Sequence, residues 1–457
     1  MNTETSIRPK GISALIVLFI LIGSNLQVVA QDSLLQAGPM IGYVEMMEAN
    51  IWVQTTESAR VQIRYRDSRD QEYKLSTVAR TNRNNSYIAQ IKLRDLEPGT
   101  EFSYQVLLNG NPVDRPYPTR FKTQELWQWR TDPPSFKMAI GSCLYINDPK
   151  YDRPGEPYGG STDILRVINR QNPDIMLWLG DNVYYREADF YSYSRLDYRN
   201  RDARKIDAMQ PLLGSTVNLA IWDDHDYGPN NSDRSYRMKE EALKLFKRYW
   251  INPGYGTNNT KGIFTRYKYA DTEMFLMDDR YHRAPNQLED SSKAYFGEEQ
   301  LQWLKDALVN SNATFKLIAS GNQMTNVNGG HESFTNYPAE FHSLMHFIKK
   351  QQIEGVVFLT GDRHFTELLK TERSGSYPLY EFTSSPLSSG TYSDIENSEE
   401  FNNPLRVDGT IIYEKRNFGM VEVTGPRGDR TLILSGYTAE GQKRWEHEIH
   451  EDELTVD

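Results

Sequence analysis

The stretch "GVVFLTGDRHFTEL", Gly355 to Leu368, decides how this chain is read. Val356 to Thr360 is a short apolar and β-branched run bounded by glycines, which reads as a buried strand. It stops on Asp362 and His364, two groups that can do chemistry. Three other places repeat the arrangement without repeating the letters. "MAIGSC" delivers Cys143, "DIMLWLGDNVYY" delivers Asp181 and Tyr184, and "VNLAIWDDHDYGPNN" delivers Asp223, Asp224, His225 and Asn230. Taken singly, an Asp after a strand is a turn residue and a lone cysteine is a small buried hydrophobe. Four such coincidences point instead to one sheet edge, because open α/β sheets bind ligands beyond the carboxyl ends of their strands.

Working outward, strands are expected at 137–141, 174–180, 217–222, 274–277, 314–320 and 355–360, and helices at 162–170, 238–249, 298–308 and 338–352. That alternation predicts a layered α/β domain over residues 136–440. Before it, "NIWVQT", "RVQIRYR", "YIAQIKL" and "EFSYQVLLNG" alternate apolar with polar residues between turn signals. Residues 31–123 therefore predict a small all-β sandwich, whose "LRDLEPGTEFSYQVLLNG" hairpin resembles fibronectin type III domains. Residues 124–135, with Pro133 and Pro134, read as a linker. Residues 441–457, ending "HEIHEDELTVD", read as a frayed acidic tail.

Arg8 and Lys10 precede an apolar run from Ile12 to Ile22, and small Ala30 follows a polar break, which reads as a signal peptide over residues 1–30. The run is 11 residues long, against about 20 needed to span a bilayer. The protein is thus expected to be exported (periplasmic, cell-surface or secreted) with no stable span after cleavage. A net charge of −10 argues against a nucleic-acid backbone as partner. One cysteine excludes a disulfide framework, and 457 residues can bury a core without one.

A metal centre explains the strand-end groups together, since clustered acids without a cation repel one another. Phenol and thiol, with ordinary pKa values near 10 and 8.5, become anionic at neutral pH beside a highly charged cation. Thiolate and phenolate suit a borderline trivalent ion such as iron(III). Carboxylate and amide oxygens suit Ca²⁺, Mg²⁺ or Mn²⁺.

"LGDNVYY", "WDDHDYGPNN", "LMDDRYHR", "GVVFLTGDRHFTEL" and "EFTSSPLS" resemble the motif series of PhoD-like alkaline phosphatases, within the metallophosphoesterase superfamily. The resemblance runs from Phe136 to about Val423. It implies a four-layer αββα fold with metals between the ends of two sheets, and iron(III) paired with calcium; Mn²⁺, Mg²⁺ or Zn²⁺ are substitutes. Carried over by position, it implies Cys143, Asp181, Tyr184, Asp224, Asn230, Asp362 and His364 as metal ligands, with Asp181 bridging. Asn230 matches loosely, because "DYGPNN" is one residue longer than the usual spacing. His225 matches the superfamily histidine that steadies phosphoryl charge or protonates the leaving group. The chain lacks the twin-arginine pair frequent among PhoD relatives, which puts cytoplasmic iron loading in doubt.

Arg280 and Arg283 of "DDRYHR" are candidates for gripping a phosphate, Arg280 in binding and Arg283 in catalysis, with Asp278 positioning them. His342 and His346 stand at i and i+4 on an expected helix with no third ligand evident, so packing or solvent exposure is the favoured reading. His331 of "NGGHESF" lies in a loop. The expected activity is hydrolysis of phosphate mono- or diesters by in-line attack of a metal-activated water. The residues leave alternatives open: a diesterase of phospholipase D type, a surface binding protein with structural metals, or a phosphatase using a nucleophile in "TSS" at 383–385.

Overall fold

Val356–Thr360 is a strand with every residue buried. The computed structural model of the chain describes Met1 and residues 34–456, apart from 291, 329, 393–395, 397 and the side chain of His331. Beyond Met1, the expected leader lies outside the described residues. Among those residues no helix is long and apolar enough to cross a membrane.

The amino-terminal part is all-β: β1 (Leu35–Val44), β2 (Ala49–Thr55), β3 (Arg60–Asp67), β4 (Lys74–Leu75), β5 (Ala79–Arg80), β6 (Ile88–Leu93), β7 (Glu101–Leu108), β8 (Asn111–Pro112) and β9 (Arg120–Lys122). Next come β10 (Phe136–Gly141), β11 (Ile175–Leu179), β12 (Val217–Ile221), β13 (Thr265–Tyr269), β14 (Thr272–Leu276), β15 (Phe315–Ser320) and β16 (Val356–Thr360). The chain closes with β17 (Glu367–Thr371), β18 (Leu379–Thr383), β19 (Asn417–Thr424), β20 (Thr431–Thr438) and β21 (Lys443–His450). The six expected strands and four expected helices of the α/β part all form, with ends shifted by at most two residues.

Two large sheets carry the fold. One has nine strands in the order β21-β20-β19-β10-β11-β12-β1-β2-β6, the other six in the order β13-β14-β15-β16-β18-β17. β10, β11 and β12 are parallel, as are β14, β15, β16 and β18, so each sheet presents several strand carboxyl ends on one edge. The sheets pack face to face. Phe382 of β18 lies 5.0 Å from Trp445 of β21, and Phe136 of β10 lies 5.0 Å from Tyr269 of β13, ring centre to ring centre. Gly419 of β19 marks how close they come, since a Cβ there would sit 2.6 Å from both Ile140 and Phe382.

The amino-terminal segment is all-β as expected, with β1, β2 and β6 on one side and a small sheet of β3, β4, β5, β7, β8 and β9 on the other. It is joined more closely to the rest than a separate domain would be: β1 pairs in parallel with β12 through Ile41 and Val217, so that β1, β2 and β6 extend the nine-stranded sheet, and the small sheet's apolar residues join the same core. The nearly continuous burial of β1 and β2 needs such cover on both faces. One expectation needs correction: the carboxyl end is not frayed. β21 is the edge strand beside β20, and Trp445, Ile449 and Leu454 are buried. Apolar residues at 445 and 449, with polar ones between them, carry the strand period of two beneath the acidic composition.

Candidate active site

Three of the four strands that deliver candidate ligands, β10, β11 and β16, are followed by residues with positive φ. Cys143, Asp181, Asp362 and His364 all have positive φ, at 61°, 53°, 67° and 57°. Side-chain-bearing residues rarely hold this conformation, and it persists where the surroundings impose it. Here the imposing feature is close approach of loops. A Cβ on Gly361 would lie 2.6 Å from Ser142, and one on Gly180 would lie 2.7 Å from Asp223. The loops after β10, β11, β12 and β16 therefore touch through bare glycine backbone. That contact turns the following residues inward.

The side chains converge on Asp181. Tyr184 Oη donates to its Oδ2 at 3.0 Å, Cys143 Sγ stands 3.6 Å from the same oxygen, and the His225 backbone N–H donates to Oδ1 at 3.2 Å. Two sets of ligand atoms each fit within 4.8 Å: Asp181 with Asp224 and His225, and Asp181 with Asp223 and Asp362. Asp181 is common to both. On the thiol side, His364 Nε2 lies 3.5 Å from Tyr184 Oη and 3.3 Å from Ser389 Oγ, and Ser385 Oγ lies 3.1 Å from Cys143 Sγ. The His225 ring, partly exposed, packs 4.3 Å from that of Tyr184.

Burial and mutual repulsion dominate the electrostatics of this cluster. Burial, then Cys143 and Asp224, push the Asp181 carboxyl well above the carboxylate range. Burial and Glu332 raise Asp362 to about 7, and burial followed by Asp362 raises Cys143 to about 12. Burial, His225 and Arg363 push His364 down to about 4. Asp224 is held low: His225, Arg280 and the Asn231 N–H outweigh its burial. Its Oδ1 nonetheless has no hydrogen-bond partner although fully buried. A buried acceptor with no protein donor, set among crowded acids and a thiol, is suited to a positive ion. The donor set fits metals.

Comparison with known proteins agrees. The sequence profile described as PhoD-like phosphatase matches residues 139–431, most of the chain. The chain belongs to this family. A second profile, a domain of unknown function (DUF7800), matches residues 32–126. Alkaline phosphatase D of Bacillus subtilis (strain 168) is 23 % identical over 327 residues, covering 59 % of this chain and 54 % of that protein, so the match spans about half of the relative's length. The structure of PhoD superposes with a TM-score of 0.74 at 14 % identity, covering 91 % of this chain and 92 % of that one. A purple acid phosphatase from yellow lupin (Lupinus luteus) superposes at 0.59 and 13 %, covering 92 % of this chain and 75 % of that one. The fold is that of the metallophosphoesterases.

Three residues expected to meet metal or phosphate make other contacts in the structure. Arg280 and Arg283, expected to meet a phosphate, are 0 % exposed. Arg280 Nε donates to Asp223 Oδ1 at 2.6 Å and its Nη2 to Glu332 Oε1 at 3.0 Å. Arg283 lies against the Tyr295 and Tyr337 rings and donates to the Glu332 carbonyl. Arg280 is bonded on two sides, whereas Arg283 Nε and Nη1 are buried with no hydrogen-bond partner. Asp278 accepts from the Arg280 N–H and from Trp222 Nε1, fixing the turn that carries them. Asn230 is exposed; it is the next residue, Asn231, whose N–H donates to Asp224 Oδ2 at 2.5 Å. His342 and His346 are exposed, and the His331 side chain lies outside the described residues.

Sequence reading missed several residues that the structure brings to this cluster. Asn322 follows β15 as "SGN" and donates to both oxygens of Asp223 at 2.9 Å. Its signal was the same strand–Gly–polar pattern as "LGD" and "TGD". Asp223 and Ser385 were within quoted motifs, and Ser389 directly follows "EFTSSPLS". Tyr158, whose Oη lies 3.1 Å from His364 Nδ1, has no comparable signal.

Proposed function

We propose that this PhoD-like chain is an exported, metal-dependent phosphoesterase that hydrolyses small phosphate mono- or diesters. The observation that carries the reading is the pair of ligand-atom sets sharing Asp181, with an unpartnered buried oxygen of Asp224 beside them. Cys143, Tyr184 and His364 form a thiolate, phenolate and imidazole side suited to iron(III). Asp224 and its neighbours form an oxygen side suited to calcium. Bound cations neutralise phosphoryl oxygens and lower the pKa of water.

The chain's own residues do the rest. His225, partly exposed and held by its backbone on Asp181, is positioned to protonate a leaving alkoxide or steady equatorial charge. Arg280, clamped between Asp223 and Glu332, fixes the acid next to Asp224 and so the spacing of the carboxylates. Ser385 links the His364 backbone to the Cys143 sulfur, holding these two ligands in register. No protein nucleophile is required.

The test is hydrolysis of bis-p-nitrophenyl phosphate and p-nitrophenyl phosphate before and after chelation, with calcium or iron restored. Chelation-sensitive turnover that returns with metal supports the reading, and the rate ratio ranks diester against monoester. Absence of turnover in folded, metal-loaded protein sinks it.

A further inference from the structure

Two of the large apolar side chains exposed on this protein lie against one candidate ligand. Tyr158 is 46 % exposed and Tyr392 48 % exposed. Their ring centres are 6.1 and 5.9 Å from that of His364. Chance exposure of tyrosines scatters singly over a surface. These two meet at the site.

The Tyr158 ring is also held in place. Its Oη lies 3.1 Å from His364 Nδ1, and Tyr145 packs edge-on at 4.9 Å. Residue 390 is glycine where a Cβ would fall 2.6 Å from the Tyr158 ring. The chain therefore spends a hydroxyl, an aromatic neighbour and a bare backbone on fixing a ring whose remaining surface faces outward. Arg363, next to the same histidine in the chain, is ion-paired with Asp362 and Glu400, so the rings and not a free charge offer the contact surface here. An aromatic surface beside a phosphoryl site meets the part of the ester attached to phosphorus, namely its alcohol.

We propose that Tyr158 and Tyr392 form a stacking platform for a planar aromatic ring on the alcohol half of the ester, which makes nucleoside phosphates the favoured substrate class. This rests on the phosphoesterase reading for the position of the phosphoryl group.

The test compares adenosine 5′-monophosphate with ribose 5-phosphate, which share the phosphate and the sugar and differ in the base. Their affinities for metal-reconstituted full-length protein are read by calorimetry, alongside turnover of p-nitrophenyl phosphate. Base stacking on a tyrosine predicts about 5- to 50-fold tighter binding of the nucleotide. Tyr392→Leu should cut that advantage at least fivefold, and Tyr392→Phe should keep it. Equal affinities for the two ligands overturn the proposal, as does an advantage that survives both Tyr392→Leu and Tyr158→Leu. Reporter turnover without a base advantage removes this inference and leaves the phosphoesterase reading standing. A base advantage that vanishes in Tyr392→Leu, in protein that turns over no ester, removes the phosphoesterase reading and keeps the platform.

Discussion

Replacing Arg280 by methionine separates a strut from a substrate clamp. In the structure the guanidinium is fully buried and bonded to Asp223 and Glu332, and it counters an Asp223 carboxyl already pushed upward by burial. Met keeps most of the volume and removes the charge, so Asp223 is left with Asn322 as its remaining side-chain donor. Breaking a buried pair by deleting one partner costs about 3–5 kcal/mol. The unfolding entropy is about 2 cal/mol/K per residue, or roughly 0.9 kcal/mol/K over the described chain. The melting temperature should therefore fall by about 3–6 °C, provided the chain melts as one unit. Calorimetry on chelated protein reads this without interference from metal loading. Adding Asp223→Asn should restore most of the loss, because the two changes share one interaction and do not add. If R280M melts within a degree of the parent while the KM for p-nitrophenyl phosphate rises a hundredfold, the guanidinium reaches substrate and the strut argument is wrong.

Three other outcomes follow from the same geometry. His225→Ala should keep its metals, measured by elemental analysis, and lose about 10²- to 10⁴-fold in kcat; normal turnover would remove His225 from the reaction. Metal binding should release protons and tighten from pH 6 to 8, because Asp362 holds its proton up to about 7 and Cys143 up to about 12 in the metal-free site. A binding heat that does not vary with the ionisation enthalpy of the buffer would refute this. Away from the site, burial and Glu48 raise Glu45 to about 7. A raised carboxyl contributes stability that is complete below about pH 4.5 and is lost as pH climbs through 7. Glu45→Gln should therefore gain on the parent in melting temperature between pH 5 and 8, and a constant difference across that range would show that Glu45 does not titrate so.

What could be read from the letters was whatever a local period or a repeated strand ending encodes. "LGD", "TGD" and "GSC" announce themselves because a glycine must precede each inward-turning ligand, and the clash distances at Gly180 and Gly361 give the reason. "SGN" at 320–322 carried the same signal. What stayed hidden depends on partners distant in sequence. The helix Tyr193–Arg204 has little apolar stripe, and Arg195 and Arg199 hold it by ion pairs to Asp189, with Arg199 also reaching Asp148. β1 reads as part of a separate sandwich until it pairs with β12, some 175 residues onward. Arg280 misleads for the same reason. An arginine beside such a motif looks like an anion grip, and only the three-dimensional positions of Asp223 and Glu332 reveal that its charge is already matched. Arg280 thus sets the spacing of the acids from inside the fold, and Arg363, nearer the surface, is itself paired with Asp362 and Glu400.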